Sequence, residues 1–338
     1  MKDTQPQKHI VTGYFHTHSF GLKGEQKKQY SKAIKGHATL ALEKFGHTSE
    51  DNHKLREWVT TGTIPSRSEM PAYEDHILTD VRQRLLIAIK SPILNDAFYA
   101  DSKYQQSRRA NKEDEGLTWL QNNLSEIIIN GWIKTPKMYE NALSMWNNIA
   151  AKQAIMYRNR EGHMTDNLRQ KIRSTSPSRK IFWPVGLFHV VGINKLLKND
   201  PLIDFNLVME KPAILRLSDG LILAHRLGKR PSRELIAKSL FEYVLYYGMQ
   251  LKDIKIASRN MEFACTKFVK NLAASLTTEE IQSLLMSQKD RTERQFIQKV
   301  VEKSDLIRSQ RQRRQIPPIK NAPDILSLLR KNVMYDVA

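Results

Sequence analysis

Two kinds of residue in this chain have the types and spacing to do chemistry, and the larger set is cationic. Arg308, Arg311, Arg313 and Arg314 place four arginines within seven residues, and Lys320 follows. Guanidinium forks match the geometry of phosphate oxygens and also stack on bases, so this cluster suits a nucleic-acid contact. A second set, Arg169, Lys171, Arg173, Arg179 and Lys180, lies among the hydroxyl residues Ser174, Thr175, Ser176 and Ser178. Hydroxyls and turn amides commonly position phosphates beside such cations. Tyr99, Tyr104, Arg108 and Arg109 form a third group, with rings that could stack on unpaired bases. Asp96, Asp101 and the run Glu113–Glu115 make that last surface mixed in sign.

The second kind is histidine. Six of the ten histidines fall in the first 53 residues, and His16 and His18 flank Thr17. On a strand both imidazoles would point to one face, the way a two-histidine metal pair is often built, with His37 or His47 as a third ligand. The pair resembles the His-hydrophobic-His element of rolling-circle nicking enzymes. That resemblance implies a metal-dependent nuclease or nicking activity with Tyr30 as nucleophile. Thr17 departs from it, since the middle residue should be hydrophobic. Ordinary surface histidines are the simpler account, and neither a catalytic residue nor a metal or other cofactor is assigned.

The balance of charge decides between these sets. The chain of 338 residues carries 54 Lys and Arg against 35 Asp and Glu, a formal net charge of +19. Such a surplus repels itself in the folded state, and a polyanion relieves the strain. Nucleic acid is therefore the expected partner, DNA ahead of RNA because no RNA-binding module is recognisable. No phosphate-binding Gly-x-x-x-x-Gly-Lys loop, dinucleotide Gly-x-Gly-x-x-Gly turn, Gly-x-Ser-x-Gly elbow or His-Glu-x-x-His helix occurs. The one cysteine, Cys265, can form no internal disulfide and reads as a small buried hydrophobe. The polar start Met1–Pro6 has no signal-peptide character. The longest apolar stretch, Ile181–Val191, is too short for a membrane span. A cytoplasmic protein, or a nuclear one in a eukaryote, is expected.

Apolar residues make up 40 % of the chain, enough for a real core. Three- and four-residue spacing predicts helices over 25–45, 73–90, 137–157 and 232–247, the last stopped by Gly248. Thr277 and Glu280 predict a capping box ahead of Ile281, Leu284 and Leu285. Strand signals are few: Ile10–Phe15, and a short pair at Phe205–Val208 and Ala213–Leu217. The expected fold is mainly α, two helical units with at most a few short strands. The predicted division is an N-terminal helical domain over 1–157, a basic linker or loop over 158–180, a C-terminal helical domain over 181–320, and an amphipathic segment over 321–338. That last segment, with Ile325, Leu326, Leu328 and Leu329, could dock on its own domain or on a protein partner. Within 41–65, Leu42, Gly46, Leu55, Trp58, Gly62 and Pro65 resemble phage-repressor helix-turn-helix domains. The stretch between Gly46 and Trp58 is about three residues longer than in that motif. A scaffold subunit of a nucleoprotein complex is the remaining alternative.

Overall fold

In the computed structural model of the chain, a parallel sheet forms around apolar runs that each end in a polar residue. The structure describes residues 8–16, 22, 24–43, 49–66, 69, 75–101, 133–174, 179–210, 215–250, 259–286 and 302. Five strands, β1 (His9–His16), β2 (Thr39–Leu42), β3 (Asp96–Tyr99), β4 (Lys180–Gly186) and β5 (Ile203–Met209), pair in the order β3-β2-β4-β1-β5. Each of the four pairings is parallel. The expectation of a mainly α protein is thereby overturned. Strands buried on both faces show no polar alternation, so their short apolar runs look like pieces of buried helix. All four residues of β2 and all four of β3 are buried.

The helix predicted over 25–45 is half right. Helix α1 (Gly24–Ala33) ends before Gly36, whose positive φ of 81° turns the chain, and Ala41 and Leu42 enter β2 instead. The helix-turn-helix reading fails at the same point. Leu42, where the motif needs its first helix, closes a strand, and α2 (Ser49–Thr61), which buries Leu55 and Trp58, follows that strand. Helix α3 (Asp75–Ile89) falls within its predicted span. One core joins Tyr14, Leu40, Leu42, Tyr99 and Phe182 of the sheet to Tyr30, Leu55, Trp58, Val81 and Leu85 of α1–α3.

Helix α4 (Pro136–Arg173) begins with proline at its first position, and the Met138 N–H donates to the Thr135 hydroxyl at 3.3 Å. It runs through most of the segment expected as a basic loop over 158–180, because Arg160, Met164, Leu168 and Ile172 form a buried stripe at four-residue steps. Of the other cations, Arg169, Lys171 and Arg173 lie on other faces of the same helix, and Arg179 and Lys180 come after it. After β4, a short 3-10 turn (Leu187–His189) leads into α5 (Val190–Leu197) and then β5. Pro184 lies in β4, an inner strand. It is tolerated there because β2 pairs with β4 only through Thr39 and Leu40, leaving β1 as the sole neighbour at Pro184.

The chain groups into two units, one of residues 1–112 and 156–213 and one of 113–155 and 214–338, with the division falling inside α4. The second unit includes α6 (Leu217–Arg226), α7 (Arg233–Gln250), α8 (Arg259–Ser275) and α9 (Thr278–Met286). Leu217, placed in a strand from sequence, starts α6. Gly248 lies inside α7 rather than stopping it. The capping box stands as expected: the Thr277 N–H donates to Glu280 at 2.7 Å and the Glu280 N–H to the Thr277 hydroxyl at 3.2 Å. Among the described residues no helix is long and apolar enough to cross a membrane. The cluster Arg308–Arg314 and the segment 321–338 lie outside the described residues.

Gly13 fixes the spacing of β1 and β5 side chains. A Cβ there would stand 2.6 Å from Cζ of Phe205, an overlap that only movement of the ring could relieve. Gly13→Ala should destabilise the first unit by about 1–3 kcal/mol. The added change Phe205→Leu should recover part of that in denaturant unfolding, and full additivity of the two changes would contradict the contact.

Candidate functional site

Parallel strands deliver their carboxyl ends to one edge of the sheet, and this edge holds two buried ionic clusters. In open α/β sheets ligands characteristically bind there. Glu43 follows β2 directly, Asp101 stands two residues past β3, and His189 closes the 3-10 turn after β4. Arg160 and Glu161 reach the same point from α4. All five are buried, with none more than 8 % exposed.

The first cluster is built around two cations. The Arg160 guanidinium donates to Asp101 Oδ2 from both Nε and Nη2, and its Nη2 also reaches Glu43 Oε1 at 2.9 Å. The His189 imidazole lies between two carboxylates, with Nε2 3.2 Å from Glu43 Oε1 and Nδ1 3.2 Å from Glu161 Oε1. The Gly186 N–H donates to Glu43 Oε2 at 2.6 Å, which ties β4 to the end of β2. Burial alone would push the His189 imidazole down, but Glu43 and Glu161 outweigh it and hold the ring above its ordinary value. Asp101 is raised by burial against the pull of Arg160, and its Oδ1 has no hydrogen-bond partner among the described residues. The edge of the Tyr157 ring closes over His189 at 5.0 Å between centroids. An imidazole between two carboxylates, beside a carboxylate oxygen with no hydrogen-bond partner among the described residues, has the parts for proton transfer.

The second cluster sits at the ends of β1 and β5. Arg84 of α3 grips Glu210 through two parallel bonds of 2.9 and 3.2 Å and reaches Asp80 at 2.9 Å. Glu210 also accepts from the Tyr14 hydroxyl and from Gln26, both at 2.9 Å. Every oxygen of Glu210 is thus occupied, and the cluster acts as a lock between β5, α1 and α3. His16 belongs here: its Nδ1 is 3.5 Å from Asp80 Oδ2. His18 and His47 lie outside the described residues, and His37 is held by Thr12 and by the Ile34 carbonyl. Among the described residues no group of three His, Cys, Asp or Glu is placed to hold a metal. Tyr30 is fully buried beneath Arg84, and burial holds its hydroxyl far above the usual range, which is the opposite of an activated nucleophile.

The basic residues singled out from sequence divide differently. Lys171 and Arg179 converge on Asp96 at 3.3 and 3.0 Å, joined by Arg56 at 3.0 Å. Asp96 opens β3 and the exposed Lys180 opens β4, so this group sits at the amino edge of the sheet, away from both buried clusters. Arg173, at the end of α4, is exposed. Arg169 is committed to Asp200 at 2.7 Å, to Asp166 at 3.1 Å and to the Leu196 carbonyl at 2.9 Å. It joins α4 to the end of α5. Arg308, Arg311, Arg313 and Arg314 lie outside the described residues, as do Tyr104, Arg108 and Arg109.

Sequence reasoning assigned no role to Glu43, Arg160, Glu161 or His189, and it placed Asp101 on a surface of mixed sign, whereas that side chain is fully buried. The one available signal was position. Glu43 and His189 each come directly after an apolar run, Thr39–Leu42 and Ile181–Phe188, where a buried parallel strand hands over to its loop. Comparison with protein-family models, curated proteins and solved structures found no match.

The raised value of His189 has a consequence for stability. A histidine that binds its proton more tightly when folded adds stability that is complete below its unfolded value near 6.5. That contribution disappears as pH climbs through the folded value. Unfolding free energy should therefore fall from pH 6.5 upward. His189→Gln should flatten this limb, and a variant with the same slope as the parent would show that the imidazole is not the titrating group.

Proposed function

We propose that the chain is an enzyme whose acid–base centre is the cluster of Glu43, Arg160, Glu161 and His189 at the carboxyl edge of the sheet. The observation that carries this reading is the His189 imidazole held between the two carboxylates at 3.2 Å on each side. Placing Arg160 and three acids in a dry interior costs several kcal/mol per ion, and good geometry only roughly offsets it. Perturbed titratable groups gathered at the carboxyl ends of parallel strands are a recurrent mark of active sites. In this reading Nε2 of His189 passes its proton to Glu43, Glu43 gives it to the substrate, and Glu161 stabilises the ring through Nδ1. This is the same division of labour by which an acid orients a catalytic histidine in hydrolases. Arg160 supplies positive charge beside any developing anion. The chemistry is acid–base hydrolysis or proton transfer.

His189→Gln and Glu161→Gln should each lower turnover of a responsive reporter ester, amide or phosphoester by about 10²–10⁴-fold, the span of positioned acid–base groups. Parent turnover should follow a bell-shaped pH profile. Turnover by folded His189→Gln equal to that of the parent would overturn the assignment.

A second reading is favoured by a different observation. The net charge of +19, with Arg56, Lys171, Arg179 and Lys180 gathered at the amino edge, supports binding of a nucleic acid, DNA ahead of RNA. Asp96 faces three of those cations, so the group keeps an excess of positive charge for phosphates. A reducing, cytoplasmic compartment suits a chain with one cysteine. Duplex DNA should bind at low salt with a log–log salt slope of roughly −4 to −7, for about four to eight phosphate contacts. Lys171→Gln with Arg179→Gln should reduce the slope by about one unit per lost contact. A slope near zero would remove the nucleic-acid reading and leave the enzyme reading untouched.

A further inference from the structure

Helices α1 and α3 and the segments that follow them line a groove. It encloses about 630 Å³, within the range of small-molecule pockets. Leu22, Ile64, Leu86 and Ile87 give it an apolar lining. Ile64 is 50 % exposed, one of few large hydrophobic side chains so open to water. The Leu22 N–H donates to Gln83 Oε1 at 2.8 Å, so the segment entering α1 is fastened to α3 at the groove.

The charge on the groove has one sign. Lys27 and Lys35 of the α1 region and Lys90 after α3 line it, and among the described residues no Asp or Glu does. All three ammonium-bearing residues are exposed, and none has a carboxylate partner among the described residues. The bland account is a solvated lysine face beside a shallow dent. Such a face needs no apolar lining, and an apolar dent needs no lysines. Together they match a ligand with a hydrocarbon body and an anionic head. The body removes apolar surface from water, and the ammonium groups select the charge of the head.

We propose that this groove binds a single-chain anionic amphiphile, an acyl or alkyl chain ending in a carboxylate or phosphate. A nucleic acid fits less well, because its backbone would leave the Leu22, Leu86 and Ile87 surface uncovered. The site is separate from the acid–base cluster and depends on neither functional reading. A head group of carboxylate and one of phosphate share the chemistry that three lysines recognise, and the two are separated by experiment.

The test is titration calorimetry on the full chain with monomeric dodecanoate, dodecyl phosphate, dodecanol and inorganic phosphate. One equivalent of dodecanoate or dodecyl phosphate should bind, and the tighter of the two identifies the head group. Dodecanol should bind about tenfold or more weakly, the head-group contribution at partly exposed lysines. Inorganic phosphate should give no heat at the same concentration. The triple change Lys27→Gln, Lys35→Gln, Lys90→Gln should bring dodecanoate down to the affinity of dodecanol. Ile87→Trp, which fills the groove and keeps the charge, should abolish binding of both while the thermal transition stays cooperative. Equal affinity for dodecanol and dodecanoate, binding unchanged in Ile87→Trp, or binding to anionic vesicles without any binding of the monomeric amphiphiles would each overturn the proposal.

Discussion

The Glu43 carboxylate joins elements that are far apart in the chain. One oxygen receives the Gly186 N–H at 2.6 Å, and the other meets both Arg160 and His189. A single side chain at the end of β2 thereby fixes the end of β4, the middle of α4 and the turn that leads to α5. Removing such a group from water has a large cost, and removing one partner from a buried ionic cluster typically costs about 3–5 kcal/mol. The strand ends, α4 and the turn are therefore held in a relation that pairs Glu43 with both Arg160 and His189. Arg84 and Glu210 do the same work between β5, α1 and α3, but with every oxygen of Glu210 engaged.

That contrast separates a structural lock from a chemically capable cluster. Both are dry and both sit at the carboxyl edge of the parallel sheet. The Arg84 cluster has a bidentate fork, a hydroxyl and an amide around one carboxylate, an arrangement that resists change. The Arg160 cluster holds the His189 imidazole at hydrogen-bond distance from a carboxylate on each side, whereas His16 in the Arg84 cluster stands 3.5 Å from Asp80. That two-sided hold on the ring is the reason it is the cluster proposed for chemistry. Of the cations singled out from the sequence, Lys171 and Arg179 meet Asp96 at the opposite edge, where they are only partly buried.

The elements with strong local signals were legible. The α3 and α4 helices follow from their apolar stripes, and the Thr277–Glu280 box forms because its two hydrogen bonds close within four residues. Strands β1 and β5 were visible at Ile10–Phe15 and Phe205–Val208. Strands β2, β3 and β4 were not, since residues such as Leu40, Ala97 and Phe182 are covered on both faces and lose the alternation that marks a half-exposed strand. The segment 158–173 misled in the opposite direction. Its arginines and lysines concealed a four-residue stripe whose first member, Arg160, is itself charged.

The sequence by itself determined the excess of positive charge, the single cysteine, the capping box and the helical faces, because each depends on composition or on neighbours within a few residues. Only the tertiary structure decided that the first unit is an α/β sheet and that Glu43, Asp101, Arg160, Glu161 and His189 meet. Glu43 and His189 lie 146 residues apart, and no local pattern encodes such a distance. Parallel pairing brings the strand ends to one edge, and burial there makes each charge depend on the others.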